Sequence, residues 1–308
     1  MVESGTSMRT PIPIGEAANP PFAKLPEPAT LFRLRAQRFA ILSEDHPLRP
    51  YLRFMAGLCE AQHRVQDGLP EPEMPPADVV SRASSFGMPP LDRNAFTADK
   101  TFGVTLDRFF ALAPQIEMPD TAREALARVT ACDAAGRETL LRGVLAAAAP
   151  VEALGEHMFM AAAVQVHFAR LAARLDAKAL KPVGEGACPV CGGPPVSSAV
   201  VGWRGAHGTR FCACALCSTL WHVVRIKCTL CGSTKGVAYQ EIENGPGAGL
   251  VRAETCDTCG LYVKLLQNIA DPMLDPVADD VATLALDLLL REAGTYRRGA
   301  VNPFLLGY

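Results

Sequence analysis

Apolar residues recur at helical spacing through the first half of the chain. The first run, LFRLRAQRFAIL, begins after Thr30, and others cover residues 51–65, 101–113, 119–129, 137–148 and 151–177. Side chains that repeat at i, i+3 and i+4 form one face of an amphipathic helix. The proline-rich residues 70–90 are typical of a connector with at most a short helix at 79–85. We therefore predict an all-helical domain of about six helices over residues 29–182.

Two segments of this first half differ from the rest. Residues 1–28 are rich in proline, glycine and alanine and have no apolar stretch of the kind found in export signals, so they predict a flexible leader. The MFMAAAV run within residues 158–166 is shorter than the about 18 residues that a transmembrane helix needs. We expect that helix to be buried in the core and not inserted in a membrane.

After residue 182 the pattern changes to short β-branched or alternating runs. These predict six strands, at residues 196–203, 209–212, 220–227, 237–243, 250–255 and 261–267. The arrangement of turns and strands occurs twice, at an offset of about 40 residues. We predict two small β-modules in tandem, at residues 183–226 and 227–272. Such modules need an ion to fold, whereas the helical domain can bury its own apolar faces without one.

Eight cysteines in this region form four Cys-x-x-Cys pairs. Two such turns together supply four sulfurs for a tetrahedral thiolate site. Pairing the turns in chain order gives one set in each module: Cys188, Cys191, Cys214 and Cys217, then Cys228, Cys231, Cys256 and Cys259. Thiolate sites of this kind bind zinc or iron. The sequence therefore predicts two rubredoxin-like or zinc-ribbon-like metal sites, each closed by four cysteines.

Other uses of the cysteines agree less well with the sequence. Disulfides form in oxidising compartments, and no secretory signal is visible. Four pairs at repeated intervals favour ligands over a thioredoxin-type redox pair, and the cysteine run of bacterial ferredoxins is absent from the sequence. Cys212 is expected to be a bystander on its strand, with a role as a competing metal ligand as the alternative. Cys59 and Cys132 are expected to act as small apolar residues.

Residues 273–308 predict a helix that packs back on the protein, followed by an apolar tail. Apolar side chains after Pro276 follow the i, i+3, i+4 pattern along one face. Asp279 and Asp280 lie off that face, which predicts either a solvated surface or a contact with a partner. The predicted fold class is thus α+β and multidomain: an N-terminal all-α domain, two tandem β metal modules and a C-terminal helix.

The charge of the chain and the absence of catalytic motifs narrow the range of possible functions. The formal net charge is −2, so composition indicates no polybasic or polyacidic tail. Residues 188–264 hold seven cations and four acids, and two four-cysteine sites with divalent ions bring the total to about −1. This balance argues against a phosphate-binding surface. The sequence has no glycine-rich phosphate loop and no nucleophile elbow, and closed cysteine sites leave no open metal position, so we predict that the protein is not an enzyme.

Several runs together resemble the formate dehydrogenase accessory protein family, FdhE. They are RF at 38–39, HPLRPYLRF at 46–54, PPLD at 89–92, CPVCG at 188–192, PVSS at 195–198, WHVVR at 221–225, DP at 271–272, VADD at 277–280 and NPF at 302–304. The likeness extends over nearly the whole chain from about Thr30. It implies a cytoplasmic, non-enzymatic maturation factor that acts on the catalytic subunit of respiratory formate dehydrogenase and carries two iron ions in rubredoxin-type sites, with zinc as the alternative occupant.

The residues expected to contact that partner are Trp221, His222, Arg225, Asp279 and Asp280. Two other functions stay open beside this one: a zinc-ribbon protein that binds nucleic acid, and a rubredoxin-like electron carrier. No oligomeric state is predicted.

Overall fold

The computed structural model describes residues 19–307. Within that range its first half holds seven α-helices: α1 Pro28–Leu42, α2 Arg49–Arg64, α3 Ala77–Ser85, α4 Lys100–Leu112, α5 Asp120–Ala131, α6 Ala134–Ala146 and α7 Leu154–Ala172. Helix α3 is the short helix expected within the proline-rich connector. The predicted all-helical region is therefore helical in the structure as well.

Helix α7 is the centre of the helical region. Its residues from Glu156 to Ala169 are all buried, and it contacts α1, α2, α4, α5 and α6. A helix that is apolar on every side belongs inside a protein core. The expectation that residues 158–166 lie in a buried core helix is confirmed. None of the described helices is long and apolar enough to cross a membrane.

Eight strands of the described chain form one sheet: β1 Ala23–Lys24, β2 Pro195–Val201, β3 Thr209–Cys214, β4 Leu220–Val223, β5 Val237–Gln240, β6 Val251–Cys256, β7 Leu261–Leu266 and β8 Arg297–Arg298. Their order is β1-β4-β3-β2-β7-β6-β5, and β8 pairs with β7. Each predicted module supplies three antiparallel strands. The parallel pairing of β2 with β7, at Ser197 opposite Lys264, joins the two modules into a single sheet.

The predicted leader differs in part from the structure. Residues 1–18 lie outside the described residues, but Ala23 and Lys24 form β1 and pair with Trp221 and Leu220 of β4. The Lys24 ammonium also lies 4.3 Å from the centre of the Trp203 ring. A two-residue strand is too short to produce a sequence pattern, and this one forms because β4 offers it an edge.

The main hydrophobic core is continuous across three parts of the chain. It includes Phe159 of α7, Val190 and Cys191 of the first module, and Phe304 of the C-terminal tail. Ala253 of the second module and Leu286 of the C-terminal region form a small separate cluster. The first module is therefore part of the helical region's core, whereas the second lies against it through the sheet.

The predicted C-terminal helix is two helices, α8 Ala278–Ala282 and α9 Leu284–Ala293, because Thr283 leaves helical geometry between them. Asp279 is 3% exposed, and its Oδ1 lies 2.6 Å from Nη2 of Arg38 on α1. Asp280 is fully buried, 3.3 Å from Lys264. The prediction that the two aspartates form a solvated face or a partner contact is wrong, since both carboxylates pair with cations inside the protein.

Candidate metal centres

The first cysteine cluster lies at one end of the β2–β3–β4 hairpins. The turn from Cys188 to Cys191 precedes β2, and the turn from Cys214 to Cys217 joins β3 to β4. The Cys188 and Cys217 sulfurs are 3.5 Å apart, the Cys191 and Cys214 sulfurs are 3.4 Å apart, and all four lie within 4.8 Å of one another. The structure thus brings together the four cysteines that chain order had paired.

The second cluster repeats this arrangement in the second module. The sulfurs of Cys228 and Cys259 are 3.9 Å apart, and those of Cys231 and Cys256 are 3.8 Å apart. All four lie within 4.8 Å of one another. The sequential pairing of the four turns therefore gives two separate groups of four sulfurs.

The turns themselves share one backbone design. The N–H of Gly192 donates to the Cys188 carbonyl at 2.8 Å, and the N–H of Gly232 donates to the Cys228 carbonyl at 3.0 Å. Both glycines have positive φ, which lets the chain fold back over the sulfurs without steric cost. After the turn from Cys214 to Cys217, Ser218 occupies the position that these glycines have, with a φ of 57°. The sequence alone does not show that a serine takes this conformation.

Both clusters fit a metal ion. A tetrahedral ion with metal–sulfur bonds of about 2.3 Å places its sulfurs about 3.8 Å apart, close to the separations in each cluster. None of the described cysteines forms a disulfide. Zinc and iron both accept four thiolates. Each cluster would hold its ion with no position left for a substrate.

Neighbouring groups lower the pKa of Cys214 in the first cluster and of Cys256 in the second. Hydrogen bonds from the Cys188, Cys191 and Cys217 thiols lower the pKa of Cys214 well below its usual value. Burial acts to raise the pKa of Cys256, but hydrogen bonds from the backbone N–H groups of Cys259 and Thr258 and from the Cys231 and Cys228 thiols together lower the pKa to about 7. A lowered pKa favours the thiolate, which is the form of cysteine that binds metal.

The two clusters differ in their exposure to solvent. All four cysteines of the first cluster are buried, Cys214 being the least so at 2% exposed. In the second cluster Cys228 and Cys256 are buried, Cys259 is half-buried and Cys231 is exposed. Cys231 is therefore the most exposed cysteine of the two clusters.

A segment of the helical region covers the first cluster. The N–H of Leu91 donates to the Val190 carbonyl at 2.9 Å, and the N–H of Arg93 donates to the Cys191 carbonyl at 3.1 Å. Leu91 is 5% exposed. This cover, residues 89–93, was not predicted from the residues, although its PPLD run was among those that carried the family resemblance. We call it the cover segment.

The predicted partner residues on and after β4, and Cys212 on β3, differ in how far they are exposed to solvent. Trp221 is 4% exposed and lies between β1 and β3, so it cannot contact a partner directly. The His222 ring packs against Phe211, with centroids 5.7 Å apart. Arg225 is exposed. Cys212 is fully buried on β3 outside both clusters, and burial raises its pKa to about 12.

A buried ion pair joins the two modules. It was not predicted from the sequence. Nη1 of Arg210 on β3 lies 2.5 Å from Oε2 of Glu254 on β6, and both residues are buried. Nε of Arg210 donates to Ser198 Oγ at 3.1 Å, and the Tyr239 hydroxyl donates to Glu254 at 3.2 Å. These contacts stabilise the junction of the modules, and they leave neither charge free for nucleic acid.

The fold and its sites define a class: a helical domain joined to two zinc-ribbon-like modules with one four-cysteine cluster in each. Sequence models of three FdhE domains match this chain in order, the N-terminal domain at residues 20–185, the central domain at 187–225 and the C-terminal domain at 226–305. The chain belongs to the FdhE family.

Individual relatives agree with this assignment. A protein FdhE homolog from Rhizobium meliloti is 45% identical over 298 residues, 97% of each chain. Protein FdhE of Escherichia coli is 35% identical over 286 residues, covering 91% of this chain and 89% of its own. The crystal structure of the FdhE protein from Pseudomonas aeruginosa superposes with a TM-score of 0.83 at 31% identity, covering 93% of this chain and 99% of that one.

Proposed function

We propose that this protein is a cytoplasmic, non-enzymatic maturation factor for respiratory formate dehydrogenase, and that it binds the catalytic subunit of that enzyme. Membership of the FdhE family supports the accessory role. Two metal ions are bound, one by each four-cysteine cluster, and iron is the proposed occupant with zinc as the alternative. The closed clusters support a binding role, because four cysteines leave no metal position for a substrate.

An exposed apolar segment between the modules supports the proposed binding surface. The segment between the modules exposes two apolar side chains, Val224 at 52% and Ile226 at 75%, on either side of the exposed Arg225. Cys231 of the second cluster is exposed a few residues further on. Neighbouring exposed apolar residues are typical of a protein-binding surface. We therefore propose residues 224–226 and the second cluster as the contact surface, with the buried Trp221 supporting it from inside.

Complementation of a deletion strain tests this function. Cys228→Ser and Cys256→Ser should reduce both co-purification with the catalytic subunit and formate-dependent dye reduction, since loss of the ion unfolds the second module. Cys59→Ser and Cys132→Ser, which lie outside both clusters, should restore both signals. Cluster variants that restore both signals fully would refute the proposal.

A second candidate function is a rubredoxin-like electron carrier. The exposure of Cys231 favours it, because electron exchange needs a route from the metal to the surface. Metal analysis and a visible spectrum of protein purified without oxygen distinguish the two candidates. A preparation that holds only zinc would exclude the electron carrier.

A further inference from the structure

The first cysteine turn of each module has the same backbone but a different cover. In the first module, the cover segment at residues 89–93 donates two backbone hydrogen bonds, to the carbonyls of Val190 and Cys191. Its Pro89 ring lies against Gly192, since a Cβ placed on that glycine would be 3.3 Å from Pro89 Cγ. Cys191 is fully buried as a result.

The equivalent turn of the second module is only partly covered. Glu185 occupies the place that Pro89 has in the first module, because a Cβ on Gly232 would be 3.1 Å from Glu185 Cδ. Gly186 lies against the carbonyl of Leu230 without a hydrogen bond to it. Within residues 19–307, no group donates a hydrogen bond to the carbonyl of Cys231. That carbonyl corresponds to the one that Arg93 N–H reaches in the first module.

The residues near this turn in sequence include an exposed apolar side chain and exposed positive charges. Ile226, two residues before Cys228, is 75% exposed. Arg225 and Lys235 are exposed cations, and neither forms an ion pair with another described residue. Lys227, by contrast, is paired with Glu185 at 2.7 Å. The open turn thus offers a backbone acceptor, an apolar contact and two free positive charges.

We propose that an extended segment of the partner protein covers the second turn as residues 89–93 cover the first. Its backbone N–H donates to the Cys231 carbonyl, an apolar side chain packs on Ile226, and a carboxylate lies near Arg225. The inference rests on the proposed function, because the partner is the catalytic subunit. It adds the mode of binding: the partner completes the burial of the second metal cluster.

Hydrogen exchange of the metal-loaded protein, alone and with the purified catalytic subunit, tests this mode. Binding should slow exchange across residues 229–233 and leave residues 189–193, already covered, unchanged. Ile226→Asp should weaken the affinity about tenfold or more, because it removes an apolar contact at the interface. The matched control is Ile41→Asp, which changes an isoleucine 50% exposed on α1 and should bind as the wild type does.

Metal content of two ions per chain in Ile226→Asp confirms that the variant is folded, and Val224→Asp replaces it if the content falls. Slowed exchange on another surface, or unchanged affinity in the folded variant, would overturn the inference and the proposed contact surface, while the proposed role as a maturation factor that binds the catalytic subunit stands. A wild-type protein that does not bind the catalytic subunit would overturn both.

Discussion

His167 lies in the centre of the helical region among aromatic rings. It is fully buried, and its ring centroid is 5.7 Å from that of Phe96 and 5.4 Å from that of Phe102. Among the described residues neither ring nitrogen has a hydrogen-bond partner, and Nε2 is 3.7 Å from the Asp99 carboxylate. Burial lowers the pKa of His167 to about 4, because an imidazolium is poorly solvated there.

We predict that His167 makes the free energy of unfolding sensitive to acid. The pKa of His167 is about 4 when folded and about 6.5 when unfolded. The neutral His167 therefore stabilises the folded state fully above pH 6.5. As the pH falls from 6.5 to 4 this stabilisation is lost, and the free energy of unfolding decreases by about 3 kcal/mol in total. Urea unfolding of His167→Phe should show a flatter pH dependence in this window.

The control for this experiment is His207→Asn, which removes an exposed histidine and should keep the wild-type profile. A profile of His167→Phe as steep as that of the wild type would show that other groups cause the acid sensitivity.

Ion pairs join α1 to α8 and to the residues just before α8. Nε of Arg35 is 3.0 Å from Asp275, and Nη2 of Arg38 is 2.6 Å from Asp279. Arg38 also lies 3.0 Å from Asp271, which is half-buried. These pairs hold the C-terminal helices against the first helix of the domain.

Asp279→Ala should therefore be strongly destabilising. It leaves the buried Arg38 with Asp271 alone, and breaking a buried pair costs about 3–5 kcal/mol in the free energy of unfolding. Glu241→Ala breaks the exposed pair with Arg252 and should cost about 1 kcal/mol or less. Chemical denaturation of both variants measures the difference, and equal losses would contradict the role given to the α1–α8 contact.

Local elements were predictable because their signals are local. The β-branched run at residues 196–203 predicted β2, found at Pro195–Val201, and the cysteine spacing predicted which sulfurs meet. The parallel pairing of β2 with β7 and the burial of Asp279 were not predictable in this way. Both depend on residues far apart in sequence, and polar side chains buried by distant partners look the same in sequence as solvated ones.

For the molecule as a whole, the shared core changes one expectation. The helical region was expected to fold without metal, but Cys188, Cys191 and Cys217 belong to the same hydrophobic core as Phe159 and Phe168. The cysteines of the second cluster lie outside that core. Loss of the first ion should therefore loosen the helices, while loss of the second should remain local.

Two variants at equivalent positions of the repeat test this difference. Cys217→Ser, in the buried cluster, should lower the melting temperature of the helical circular dichroism signal by roughly 5 °C or more. Cys259→Ser, in the exposed cluster, should change that signal less while still removing one ion. Equal shifts would show that both clusters contribute alike to the helical core.

The contact between α1 and α8 also fixes when the protein can finish folding during its synthesis. Arg38 and Asp279 are 241 residues apart. At about 5–20 residues per second, a ribosome needs roughly 12–48 s to make the chain between them. Throughout that time the side of α1 that binds α8 has no partner from its own chain. The native contact between α1 and α8 therefore forms only after residue 279 has been made, and until then the α8-binding side of α1 is open to non-native contacts.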